Sequence, residues 1–336
     1  MTEASGVPAA VHGLAGQFLR DAAKVDATGQ LPAEHLRSLA EAGLYGICAP
    51  VELGGLGLAF PEICSVAEEL ASGCLASTFV WIQHLRLLGA VLDEGTPESL
   101  RAQLMPGVVR GEVRGGVALA GLLPGPPRLT ARPVPGGWQL DGQSPWVTGW
   151  GHVSFIVVVA RGPSDSVVTL LVQAEEQPGL TAERQRLAAV DASATVQLGF
   201  GGLFVPGERY VSQQPYDPAR QQSEGLRLNG SLALGVARRC CAFIGPSALD
   251  AQLRDRRAEL DQASTGTMPA ARARASELAV RAAHALAVHR GSASALAGDD
   301  AERLTREAAF LLVFGSRPAI KEVLFQQFSA PAVQCR

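Results

Sequence analysis

The sequence predicts an α+β chain of several domains: helices, a β-module of roughly 100 residues, then more helices. Three observations carry this. The apolar pattern is helical from about Val7 to Val109, strand-like from about Val113 to Val211, and helical again from about Ser223 to Phe328. Turn signals crowd into the middle stretch, where β-branched runs are short and closely spaced. The length, 336 residues, exceeds the roughly 250–300 residues at which a single core stops growing. The expected division is 1–112, 113–212 and 213–336.

The elements follow in order. Leu31-Pro32-Ala33 opens a helix, because proline suits a first turn and Leu36, Leu39 and Leu44 fall near one face. Gly43 is its stop signal. Pro50–Gly57 is a glycine-rich loop, and Pro61–Ala71 and Ser77–Leu92 read as helices. Thr96 is the expected N-cap of a short helix towards Leu104, with Pro97 at its first position. In the middle stretch Gly137–Gly142 alternates and is expected to turn at Asp141-Gly142. Val153–Ala160, Val167–Gln173, Thr195–Leu198 and Leu203–Val205 continue the strands, as a small barrel or a sandwich. Pro206–Gln222 reads as a linker. Leu226–Ala242, Ala248–Leu260, Met268–Ala297 and Ala301–Val313 are four candidate helices whose small residues suit close packing.

Composition narrows the function. A chain 47% hydrophobic with net charge −3 is not disordered. A pI of about 6.1 leaves no basic excess for phosphates, so no nucleic-acid partner is expected. Uninterrupted apolar runs such as Phe155–Ala160 fall far short of a membrane span, and Met1–Ser5 carries no leader-like pattern. Cysteines at 48, 64, 74, 240, 241 and 335 show neither CxxC nor zinc spacing. They read as small core residues of a cytoplasmic protein without a metal.

Local words add a family resemblance. Ala49-Pro50-Val51-Glu52-Leu53-Gly54-Gly55-Leu56-Gly57 resembles the P-E-x-G-G-x-G loop of the acyl-CoA dehydrogenase superfamily. Gly95-Thr96-Pro97-Glu98, Met105-Pro106 and Arg110-Gly111-Glu112 are similar to its next segment. Leu140-Asp141-Gly142-Gln143-Ser144-Pro145-Trp146-Val147-Thr148 resembles L-N-G-x-K-x-W-I-T, and Phe204-Val205-Pro206 resembles its f-V-P strand end. Leu234-Gly235-Val236-Ala237 and Leu311-Leu312-Val313-Phe314-Gly315 stand where its bundle words stand. The words occur in the family's order along nearly the whole chain.

The resemblance implies an N-terminal helical domain, a central β-barrel and a C-terminal four-helix bundle. It implies FAD, with FMN as the alternative, held between barrel and bundle, and a homodimer or homotetramer. The implied reaction is α,β-dehydrogenation of an acyl-CoA or acyl-carrier thioester. Trp146, Val147 and Thr148 would serve the flavin, Thr148 offering a hydroxyl that both donates and accepts. Leu119 and Ala120 would meet the ring edge through the backbone, and Phe314 and Gly315 would serve the cofactor from the bundle. The alternative is that Trp146 and Thr148 are ordinary barrel residues.

Departures from the pattern open other readings. Ala118-Leu119-Ala120-Gly121 replaces T-E-P-x-x-G-S-D, losing side chains that contact flavin and substrate. The R-x-Q-F-G word is absent; Arg256 or Arg257 is a substitute phosphate partner, or part of a solvated helix face. The C-terminal Y-E-G-T word that carries the usual base is also absent. Glu224 is the candidate base near the first bundle helix, and His84 a second candidate from the helix that lines the family's substrate cavity. Each has a plainer alternative, a surface carboxylate and a core histidine. A flavin monooxygenase of the same fold needs no such carboxylate, and a non-catalytic flavin-binding or partner subunit needs no chemistry at all.

Overall fold

A computed structural model describes residues 9–218 and 225–329. They pack into two compact units: one of 24–63 and 76–218, the other of the described residues in 1–23, 64–75 and 219–336.

The first unit holds helices α2 (Ala33–Glu41), α4 (Leu75–Leu92) and α5 (Glu98–Arg110) and eight strands. Those strands are β1 (Gly115–Ala118), β2 (Leu129–Val134), β3 (Gly137–Val147), β4 (Phe155–Gly162), β5 (Ser166–Gln173), β6 (Leu180–Arg184), β7 (Val196–Pro206) and β8 (Tyr210–Pro215). They form one mixed sheet in the order β6-β7-β3-β2-β4-β5-β8, with β1 paired parallel to β4. One core gathers Ala118, Leu129, Leu140, Ile156, Leu170, Leu180 and Leu198 from seven strands, and β8 adds Tyr210 at its margin. A single core lined from every strand is what a curled, barrel-like sheet produces.

β4 is buried on both faces. Ile156, Val158 and Ala160 enter the barrel core, while Phe155 and Val157 pack with Leu87, Leu88 and Val91 of α4 and Leu104 and Val108 of α5. That explains why its sequence is continuously apolar rather than alternating. α4 is long and apolar enough to cross a membrane by length and composition, yet 67% of it is buried inside the protein. The expectation drawn from uninterrupted apolar runs overlooked it, because Gln83, His84 and Arg86 break the run without breaking the helix.

Three other expectations change. Asp141-Gly142 is no turn: β3 runs straight through it. Gly142 has φ +124°, and a Cβ there would lie 2.2 Å from the Arg128 carbonyl oxygen, so close strand approach explains the glycine. Asp141 Oδ1 instead accepts the Gly202 N–H at 2.8 Å across a β-bulge. The expected linker contains β8, an antiparallel partner of β5 whose Val211 is buried while Ser212, Gln213 and Gln214 are polar. Thr96 does not cap α5; Pro97 holds that place, and the Thr96 hydroxyl donates to the Ala90 carbonyl at 2.6 Å.

The second unit carries residues of α1 (Ala9–Thr28) and α3 (Phe60–Gly73), with α6 (Leu226–Ile244), α7 (Ala248–Gln262), α8 (Met268–Arg290), α9 (Asp300–Val313) and α10 (Pro318–Ser329). α8 touches each of the other four C-terminal helices. Its buried Ala271, Ala273, Ala275, Ala279 and Ala283 permit that approach. α8 stops seven residues short of the expected Ala297, at Gly291 with φ +66°. Gly235 of α6 lies so close to α3 that a Cβ would come within 2.5 Å of the Glu68 carbonyl oxygen.

Candidate functional site

The end of β3 departs from regular sheet geometry. The β3–β7 register shifts between Ser144 and Val147, so Pro145 and Trp146 have no ladder partners. Val147 is buried in the barrel core. Trp146 has φ +63° and its indole is 62% exposed. A bulky residue in the left-handed region is a conformational outlier, held only where its surroundings enforce it.

Those surroundings are the segment after β6. The Trp146 N–H donates to Gln185 Oε1 at 3.0 Å. The Gly149 and Trp150 N–H groups donate to the Ser193 and Ala194 carbonyls at 2.9 and 3.1 Å. Thr148 is 1% exposed, and its Oγ1 lies 3.1 Å from Thr195 Oγ1, itself 2.8 Å from Ser193 Oγ. Val190 and Ala194 are also left-handed, with φ of +54° and +50°. Asp191 steadies the bend: its Oδ1 accepts the Leu187 N–H at 2.9 Å, and Arg184 and Arg186 lie 3.5 and 3.4 Å away. Three strained, non-glycine residues thus share one hydrogen-bonded patch.

Sequence reasoning singled out Trp146, Val147 and Thr148 but not Gln185, Ser193 or Thr195. The only signal for these was the polar pair Ser193 and Thr195 around a small residue at a strand start. Leu119 and Ala120 stand in the short turn after β1, Leu119 half-buried and Ala120 inside the barrel core.

His84 on α4 is 1% exposed. The Gly115 N–H donates to its Nδ1 at 3.3 Å, so Nε2 carries the proton and donates to the Tyr45 carbonyl at 3.1 Å. Burial, with help from Arg114, lowers its pKa to about 4. Both nitrogens are occupied by main-chain groups, leaving none for a substrate proton. His152, half-buried, is shifted downward by burial, then by Arg114 and Arg184.

In the helical unit, Phe314 and Gly315 follow α9. The Phe314 N–H closes the helix on the Phe310 carbonyl at 2.9 Å, its ring stacks on Phe310 at 5.5 Å, and Gly315 is left-handed at φ +59°. Arg272, buried, donates to the Leu311 carbonyl at 3.1 Å just before that turn. Neither candidate phosphate partner is free: Arg257 forms a two-point pair with Glu68, and Arg256 pairs with Glu259 at 2.7 Å. Glu224 lies outside the described residues. Among the described residues no cluster of three His, Cys, Asp or Glu side chains is placed to hold a metal.

An exposed indole on an enforced backbone, beside a hydroxyl able to donate or accept, fits a flat, nitrogen-bearing ring such as a flavin. Residues 4–112 match the acyl-CoA dehydrogenase N-terminal domain family. Benzylmalonyl-CoA dehydrogenase of Aromatoleum aromaticum is 29% identical over 231 residues, 65% of this chain and 60% of that protein. Against two further curated relatives the chain spans about half of their length, 49% and 55%. Among solved structures, a glutaryl-coenzyme A dehydrogenase in complex with glutaryl-CoA superposes with TM-score 0.80 at 16% identity, covering 98% of each chain. Dibenzothiophene monooxygenase (TdsC) of Paenibacillus sp. A11-2 superposes with TM-score 0.76 at 18% identity over 95% of each chain, and another of its structures holds FMN and indole. The family domain over residues 4–112, the curated relatives and the ordered sequence words together support membership of the acyl-CoA dehydrogenase superfamily.

Proposed function

We propose that the protein is a flavin-dependent oxidoreductase that dehydrogenates an acyl thioester between its α and β carbons. The observation that carries the reading is the enforced, exposed Trp146 beside the buried Thr148 hydroxyl. FAD, or FMN, supplies the two-electron oxidising power when bound. Trp146 offers the ring a face, Thr148 a hydrogen bond at its reacting edge, and the Leu119-Ala120 turn its backbone groups.

Glu224 is the carboxylate this reaction uses to remove the proton α to the thioester carbonyl. Its loss is expected to slow that step by about 10²–10⁴-fold. The reading extends to a homodimer or homotetramer and a small-molecule thioester substrate.

The test uses purified protein. Bound FAD or FMN gives a yellow solution, and anaerobic acyl-CoA bleaches it. Glu224→Gln is expected to abolish bleaching while leaving the colour. Thr148→Ala is expected to shift the visible flavin band; an unchanged band with intact binding removes Thr148 from the ring's edge. Protein that takes up neither flavin defeats the reading in favour of a non-catalytic subunit.

One observation favours a second reading, a flavin monooxygenase. Neither His84 nitrogen is available as a base. That route needs no carboxylate at the α-proton. It predicts no bleaching by acyl-CoA, rapid oxygen uptake after chemical reduction, and a product that carries oxygen.

A further inference from the structure

The bulge at the end of β3 takes the Trp146 N–H out of the β3–β7 ladder. A backbone donor lost from a sheet needs another acceptor, and here a side chain supplies it: Gln185 Oε1, 3.0 Å away. Gln185 stands one residue past β6, and its own N–H donates to the Thr195 carbonyl at 3.0 Å. Thr195 in turn holds the Thr148 hydroxyl at 3.1 Å. One glutamine therefore ties the strained residue 146 to the strand that orients residue 148. The indole it braces is 62% exposed at φ +63°, a conformation without intrinsic support for a bulky side chain.

We infer that Gln185 is a positioning residue, whose side-chain oxygen holds Trp146 in its left-handed conformation and so presents the indole as a preformed platform for the flavin. The inference rests on the flavin reading above. It assigns Gln185 no contact with the reacting atoms. Its effect passes through Trp146: without the acceptor, residue 146 relaxes towards ordinary extended backbone and the indole turns from its seat.

Two substitutions and two readouts test it. Gln185→Leu keeps an uncharged side chain of comparable bulk and removes the oxygen; Gln185→Glu keeps an oxygen acceptor. Gln185 is half-buried at a strand end, and a melting curve establishes that each variant is folded. In the apo-protein, amide exchange at Trp146, read by NMR, is expected to accelerate about fivefold to tenfold in Gln185→Leu and to return close to wild type in Gln185→Glu. Titration with FAD and with FMN, followed by flavin absorbance, is expected to show about fivefold to tenfold weaker binding in Gln185→Leu alone. Wild-type exchange at Trp146 in Gln185→Leu overturns the inference. So does faster exchange with unchanged flavin affinity, or a Gln185→Glu variant no better than Gln185→Leu. Wild-type protein that takes up neither flavin removes the flavin reading and this inference with it, an outcome recognised before any substitution is made.

Discussion

The two units solve their folding problem differently. In the barrel unit, five non-glycine residues have positive φ: Trp146, Ser164, Asp165, Val190 and Ala194. Among the described residues of the helical unit, only glycines do. That unit instead buries charge. Glu68 is paired with Arg257, Glu69 with Arg238, and Arg303 with Glu307 at 2.9 Å and Asp300 at 2.7 Å. Among the described residues, buried Arg272 has Ser276 and the Leu311 carbonyl as hydrogen-bond partners, and burial pulls its pKa down to about 10. Buried ion pairs penalise every arrangement that separates them, so they select a helix register at little net gain in stability. Backbone strain serves no such end. Three of the five strained residues meet at the end of β3, which marks that patch as shaped for something other than stability.

Breaking a buried pair gives the largest expected effect. Arg303→Met leaves Glu307, whose side chain is 5% exposed, without its guanidinium, and about 3–5 kcal/mol of stability should be lost in urea unfolding. A loss below 1 kcal/mol would mean that the helical unit does not depend on its buried charge.

The barrel unit's counterpart is a pH effect. His84 is held neutral with a folded pKa of about 4, against 6.5 unperturbed. Its folded value is depressed, so the stabilisation is fully present above about pH 6.5. It is lost as pH falls towards 4, because the unfolded chain binds the proton first. The span corresponds to roughly 3 kcal/mol. The difference between wild type and His84→Gln in urea midpoint should therefore change across pH 6.5 to 4; parallel curves would show that His84 does not titrate differently on folding.

Gly235→Ala sharpens the picture of close helix approach. Its Cβ would press on the Glu68 carbonyl, and about 1–3 kcal/mol should be lost in thermal or urea unfolding. The smallest stability effect belongs to the strained patch. Trp146→Gly removes a left-handed tryptophan, so stability should hold or rise by up to about 1 kcal/mol. Flavin affinity should fall about tenfold, or about 1.4 kcal/mol, by absorbance titration. A marked loss of stability in this variant would show that the indole is structural and erase the contrast between the units.

Much of the fold was legible because it is written in local periodicity. α2, α3, α4 and the first four C-terminal helices lie close to where apolar spacing, prolines and glycines put them, whereas α10 was not expected. Two of the errors share one cause, a local signal outweighed by a distant partner. Asp141-Gly142 reads as a turn until β7 pairs with it and Gly202 occupies the aspartate. The polar segment 210–215 reads as a linker until β5 recruits it as an edge strand. The candidate site divides similarly. Trp146 and Thr148 are visible in their word, whereas Gln185 and Thr195 are anonymous polar residues until folding brings them alongside.

The order of helical and strand blocks, the apolar faces and the family words are properties of neighbouring residues, and the chain alone determines them. The handedness of Trp146, the partner of Thr148 and the neutrality of His84 are not. The first two are set by residues 39 and 47 positions away, and the third by the burial of His84 in the folded core. Only the tertiary structure could decide them, because hydrogen bonding and desolvation act across space and leave no mark on the neighbouring sequence.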